Sequence, residues 1–112
     1  MPFNPLDFLS LAGTLTGGNE ADRRTALSRS YYAAFLQARE NLSGAGVITP
    51  TGRGKDHQIV IRALRSRDLA TGNMVDRLRK LRGRADYNLT ATIGTQQAQN
   101  AVLLAQTVWP RL

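Results

Sequence analysis

Cysteine is absent from this 112-residue chain. That excludes disulfides, thiolate metal sites and cysteine nucleophiles, and it suits a reducing compartment, so a cytoplasmic location is expected. Histidine occurs once, without a second imidazole or a carboxylate cluster at ligand spacing. Neither a metal nor another cofactor is therefore expected. No run approaches the ~20 apolar residues that a membrane helix needs. Asp7 interrupts the first apolar stretch and no basic leader precedes it, so no signal peptide is expected. Several catalytic patterns are missing too: a glycine loop joined to a strand, a GxSxG elbow, and a carboxylate pair with an evident partner. There is no internal repeat and no low-complexity tract.

What is present is an ordinary globular composition with an uneven charge. Hydrophobic residues make up 42% and charged residues 21%, unlike a disordered chain. At this length folding buries roughly 65% of the unfolded surface, enough for one core. Acids are few: 8 against 15 basic residues, a net +7. Thirteen of the basic residues are arginine. Residues 53–84 hold ten basic and three acidic side chains, and the rest of the chain balances at five and five. The excess is local, and a concentrated arginine field favours polyanions, because each phosphate contact releases condensed counterions.

Hydrophobic spacing predicts five helices and no strand. The first starts with Asn4 as cap, Pro5 at the first helical position and Asp7 in the first turn, and turns Phe8, Leu11, Ala12 and Leu15 inward. Gly17-Gly18 ends it. In the second, Asn19 caps, Glu20 and Asp22 suit the positive end of the helix dipole, and Leu27, Tyr31, Ala34, Phe35, Ala38 and Leu42 form one apolar stripe. A glycine-rich loop, 44–54, follows. The third helix covers 55–66, with His57, Val60, Ile61 and Leu64 on one face. The fourth begins after Thr71-Gly72-Asn73 and carries Val75, Leu78, Leu81, Ala85 and Leu89 on one arc. Gly83 and the β-branched 90–92 stretch leave its end open. The fifth begins near Thr95, turns Ala98, Ala101, Val102, Ala105 and Val108 inward, and stops at Pro110. The fold class expected is all-α: an antiparallel up-and-down bundle of four to five helices in a single domain, 1–112.

Three groups of residues could carry chemistry. On the fourth helix, at about 100° per residue, Arg82 and Asp86 fall at the edge of the apolar arc, whereas Arg77, Lys80 and Arg84 face water. A guanidinium turned toward a core or interface must be paired, and Asp86 at i+4 is the obvious partner. The pair is either an internal salt bridge, an arginine aimed at a phosphate, or part of a dimer interface. On the second helix, Tyr31 belongs to the core, while Tyr32 lies near the edge where Ser28 and Arg39 project; it caps the core or stacks on a base. His57 beside Val60, Ile61 and Leu64 reads as a partly buried imidazole. Its ordinary pKa would also suit a general base.

The strings NEADRRTALSRSYYAAFLQARENL (19–42), DHQIVIRAL (56–64) and LRKLRGRADYNL (78–89) together resemble the HEPN superfamily of small helical bundles. The nearest type is the stand-alone bacterial branch with an SRxYYAAF helix and an RxxADY segment. The resemblance spans roughly residues 5–109. It implies a four- or five-helix bundle, frequent homodimers, RNA as the usual target, and frequent pairing with minimal nucleotidyltransferases in toxin–antitoxin or defence-like systems. Nuclease members use an arginine, four to six residues, then a histidine, without metal. Here Arg82 occupies the arginine position and Tyr87 the histidine position, and Gly83 stands where a polar residue often follows the arginine. A phenol with an ordinary pKa near 10 is a poor general base at neutral pH.

The leading expectation is therefore an RNA- or nucleotide-binding protein, a homodimer, with a degenerate nuclease motif. Arg79, Lys80, Arg82, Arg84 and Tyr32 are the expected binding residues. Arg29, Tyr31 and Asp86 are their structural support. One alternative is a regulatory subunit for a nucleotidyltransferase partner, in which Tyr87 accepts a nucleotide. The other is a metal-independent ribonuclease using Arg82 with Tyr87 or His57.

Overall fold

The computed structural model describes residues 3–112. All regular structure among them is helical: α1 (Leu6–Leu15), α2 (Glu20–Gly44), α3 (Asp56–Arg67), α4 (Leu69–Tyr87), α5 (Thr95–Val108) and a closing 3-10 turn, Trp109–Arg111. Among the described residues no helix is long and apolar enough to cross a membrane.

The helix starts follow their local chemistry. The Asn4 side chain accepts a hydrogen bond from Leu6 N, one of the donors a helix start leaves unpaired. Asn19 and Asp22 form a reciprocal box: Asn19 Oδ1 accepts from Asp22 N at 2.9 Å, and Asp22 Oδ2 accepts from Asn19 N at 3.2 Å. At α5 the Gln97 side chain accepts from Gly94 N.

α2 is the central element and packs against every other helix; α3, α4, α5 and α1 surround it in that order. All six residues of its predicted stripe are buried. Leu9, Ala12, Val60, Ile61, Leu64, Val75, Leu78, Ala85 and the five inward residues of α5 complete one hydrophobic cluster. The radius of gyration, 13.5 Å, is close to the ~13 Å of a compact 100-residue chain.

Cross-helix contacts fix the directions. Arg24 reaches Ala85 and Asn88, and Ser28 reaches Asp86, so α2 and α4 run antiparallel. Arg65 of α3 bonds Asn73 and Asp76 of α4, which folds α3 and α4 into a tight hairpin. The loop between α2 and α3 returns alongside α2, so that α3 starts level with Tyr31. Asp56 anchors this loop by accepting from Thr51 N, Thr51 Oγ1 and Gly52 N. Those bonds, the Thr51 hydroxyl first, hold its pKa below the usual carboxylate value. Gly46 and Gly52 take positive φ there, which glycine alone does without strain.

Three expectations are corrected. α4 starts at Leu69, ahead of Thr71-Gly72-Asn73. Gly72 is not a breaker but a contact point: a Cβ there would lie 2.7 Å from the Arg65 backbone nitrogen, so glycine lets the two helices close. Leu11 is 45% exposed, because Leu9 and Ala12 are the residues of α1 that face α2. Leu89 is 86% exposed, because α4 ends at Tyr87 and the helical arc that placed it inward stops short of it. Gly83, by contrast, leaves α4 unbroken.

Candidate functional site

Arg82 projects from α4 over the α2 surface and is only 14% exposed. Its environment is aromatic as well as acidic. The guanidinium carbon lies 5.3 Å from the Tyr32 ring centre, 5.7 Å from Tyr87 and 5.8 Å from Tyr31. Asp86 is the expected ion-pair partner, its carboxylate 3.7 Å from Arg82 Nη1, and the same Oδ2 accepts a hydrogen bond from the Ser28 hydroxyl at 3.2 Å. Arg82 Nε is buried and has no hydrogen-bond partner among the described residues. Stripping water from a guanidinium is costly, and ring faces offset part of that cost at about 0.5–2 kcal/mol each. Arg82 is thus a desolvated cation with donors to spare.

Arg29 repeats the theme one step away. Its guanidinium lies 4.9 Å from both the Tyr32 and the Phe8 ring centres. The contacts form an alternating row, Phe8–Arg29–Tyr32–Arg82–Tyr87, running from α1 across α2 to α4. Helical spacing builds it: Arg29 and Tyr32 are i and i+3 on α2, and so share one face.

His57 joins from beneath. The α3 start places its ring over Phe35, stacked at 4.5 Å, and its Nδ1 is hydrogen-bonded to the Tyr31 hydroxyl. Burial, and then the charges of Arg82 and Arg79, lower the His57 pKa. Burial pushes the Tyr31 hydroxyl well above its ordinary value. Both groups are therefore neutral near pH 7. Either the hydroxyl donates and Nε2 carries the hydrogen, or Nδ1–H donates and Nε2 is a free base. Nε2 has no partner among the described residues, and it is not among the buried unpaired atoms, so it is open to solvent.

The other expected residues divide. Arg79 donates to Asp76, and Lys80 pairs with the same carboxylate at 3.1 Å, as does Arg65. Burial alone would raise the Asp76 pKa, but the bonds from Lys80 and Arg79 outweigh it and leave it lowered. These three cations are already compensated. Arg84 is exposed and belongs to no part of the row. Tyr87 is 76% exposed, with one side against Arg82. The structure thus gathers Arg82, Tyr87, His57, Tyr31, Tyr32, Arg29 and Asp86, and leaves Lys80 and Arg84 outside.

Two functional supports have no local signal in the sequence. Arg24 donates to the carbonyls of Ala85, Asn88 and Ala91, and pairs with Glu20. Arg23 donates to Ile93 O and Gly18 O. Together they pin the end of α4, where Tyr87 stands, and place positive charge on carbonyls that would otherwise repel an anion. Their partners at the α4 end and in the link beyond it lie 61 to 70 residues away, so spacing could not reveal them. Phe8 was legible only as a core residue of α1.

Among the described residues no three imidazole or carboxylate groups converge to ligate a metal. Two shallow grooves lie elsewhere, one of about 250 Å³ between α4 and α5 at Leu81 and Leu103, the other of about 380 Å³ on α3 at Ile59 and Arg62. No family model, curated protein or solved structure matches this chain.

Proposed function

We propose that this protein binds RNA or nucleotides through the arginine–aromatic row, as a HEPN-type bundle whose nuclease motif has degenerated to Arg82 and Tyr87. The observation that carries the reading is Arg82 itself: a mostly buried guanidinium with three aromatic neighbours and a buried N–H that no protein group accepts. Buried donors are nearly always paired, and a phosphate oxygen is the acceptor a guanidinium fits best. The arginine excess supports the same chemistry, because concentrated positive charge attracts a polyanion.

Fluorescence anisotropy with a labelled RNA oligonucleotide, across a salt series, tests this. Affinity should fall steeply with salt, and Arg82→Ala or Arg29→Ala should weaken binding and reduce the salt slope by about one. Absence of RNA and nucleotide binding at low salt ends the reading.

His57 favours a second reading, a metal-independent ribonuclease. It comes from a different helix than the family pattern implies, yet it shares Tyr31 and Tyr32 with Arg82. In the tautomer with a free Nε2 it could take a proton from a ribose hydroxyl. Cleavage in the presence of a chelator, abolished by both His57→Ala and Arg82→Ala, is the expected result. Cleavage that persists in either variant excludes it.

A further inference from the structure

Tyr87 is the member of the row that the binding chemistry above leaves unexplained. A tyrosine 76% exposed spends apolar surface in water. One side packs on the Arg82 guanidinium at 5.7 Å. Its hydroxyl has no hydrogen-bond partner among the described residues, so the hydroxyl does not explain its position. The backbone that carries the ring is nevertheless held. Tyr87 is the last residue of α4, and Arg24 clamps the carbonyls of Ala85, Asn88 and Ala91 around it. Asn88 N donates to Arg84 O and closes the helix end. Leu89, two residues on, is exposed as well.

An aromatic ring on a held backbone, with one side open and beside a desolvated arginine, combines the two parts of a single-strand site: a π-face for a base and a cation for the adjoining phosphate. Tyr32 cannot serve in the same way, because Arg29 and Arg82 both lie about 5 Å from its ring centre. We infer that Tyr87 is a stacking platform for an unpaired nucleobase, and that the row takes single-stranded rather than duplex nucleic acid, with the base on Tyr87 and its phosphate at Arg82. The inference rests on the binding function proposed above and adds the strand form and the role of the ring. A base inside a duplex has its faces already stacked and cannot reach an isolated ring.

The test uses the full chain, a 5′-labelled twelve-residue oligo(A), and a duplex of equal length, read by anisotropy. Tyr87→Ala should weaken oligo(A) binding about five- to a hundredfold, with the salt slope unchanged. Tyr87→Phe should bind within about twofold of the parent, because the ring and not the hydroxyl makes the contact. The duplex should bind more weakly than oligo(A) at every salt concentration. Circular dichroism guards against loss of fold. Three results would overturn the inference: equal affinity in Tyr87→Ala, equal loss in Tyr87→Phe and Tyr87→Ala, or a duplex bound as tightly as the single strand. If the parent chain binds neither oligo(A) nor any RNA at low salt, the binding function itself fails.

Discussion

Arg82 and His57 report on each other. His57 is held below its ordinary pKa of about 6.5 by burial and then by the positive charges of Arg82 and Arg79. Arg82→Gln removes one of those charges, so the His57 pKa should rise. An NMR titration of the imidazole measures it directly, and an unchanged or lower value would contradict the placement of Arg82 above the Tyr31–His57 pair. A phosphate bound at Arg82 should move His57 in the same direction, because it cancels the same charge. At this scale the sequence pointed correctly to an arginine at the rim of the core. Its i+4 pairing with Asp86 is present as an ion pair at 3.7 Å; spacing does not show that Asp86 also accepts from Ser28 or that three tyrosines surround the guanidinium.

Helix ends and helix contacts decide where these side chains stand. Arg24 is mostly buried and donates to three carbonyls of the α4 end and the link beyond it. Arg24→Ala should cost about 1.5–3 kcal/mol, the range for hydrogen bonds to charged groups. Hydrogen exchange should show faster opening of residues 85–93, with protection in α2 kept. Gly72→Ala sets two effects against each other. Alanine in place of glycine favours a helix by about 1 kcal/mol. The added Cβ, at 2.7 Å from the Arg65 nitrogen, forces the α3–α4 hairpin apart, at about 1–3 kcal/mol. Net destabilisation is expected, and a raised melting temperature would refute it. Elements were the most legible level of this chain. Asn19 and the stripe from Leu27 to Leu42 defined α2 because capping and a 3.6-residue period are local properties. The α4 start is not legible locally, because Gly72 serves the backbone of α3 at Arg65 rather than its own turn.

The molecule as a whole is a bundle whose charge is distributed in two ways. Arg65, Arg79 and Lys80 share Asp76, while Arg62, Arg67, Arg77 and Arg84 have no ion pair among the described residues. Replacing Arg84 or Arg77 with glutamine should lower RNA affinity less than Arg82→Ala does, because exposed charges act only through the screened field. Stability should fall with pH in two stages. His57 has a lowered pKa in the folded state, so its contribution is complete above about pH 6.5 and is lost as pH drops through the folded value. Glu20, Asp56, Asp68 and Asp76 are also lowered, so theirs is complete above about pH 4 and lost below it. Denaturant unfolding at several pH values measures both, and a flat profile from pH 7 to pH 3 would refute the assignments. The core itself is conventional: Leu78→Ala should cost about 2–5 kcal/mol, because Leu78 is fully buried.

By itself the sequence determined the helices, the inward faces of α2, α3 and α5, the concentration of arginine in residues 53–84, and the presence of an arginine at the core's edge. Each follows from periodicity, capping or counting, which act over one or two helical turns. Only the tertiary structure decided which rings meet which guanidiniums. The return of the loop before α3 brings His57 to Tyr31, and the antiparallel pairing of α2 with α4 brings Tyr32 to Arg82. These contacts join residues 26 and 50 positions apart, and no local pattern encodes them, because they depend on the level at which one helix passes another.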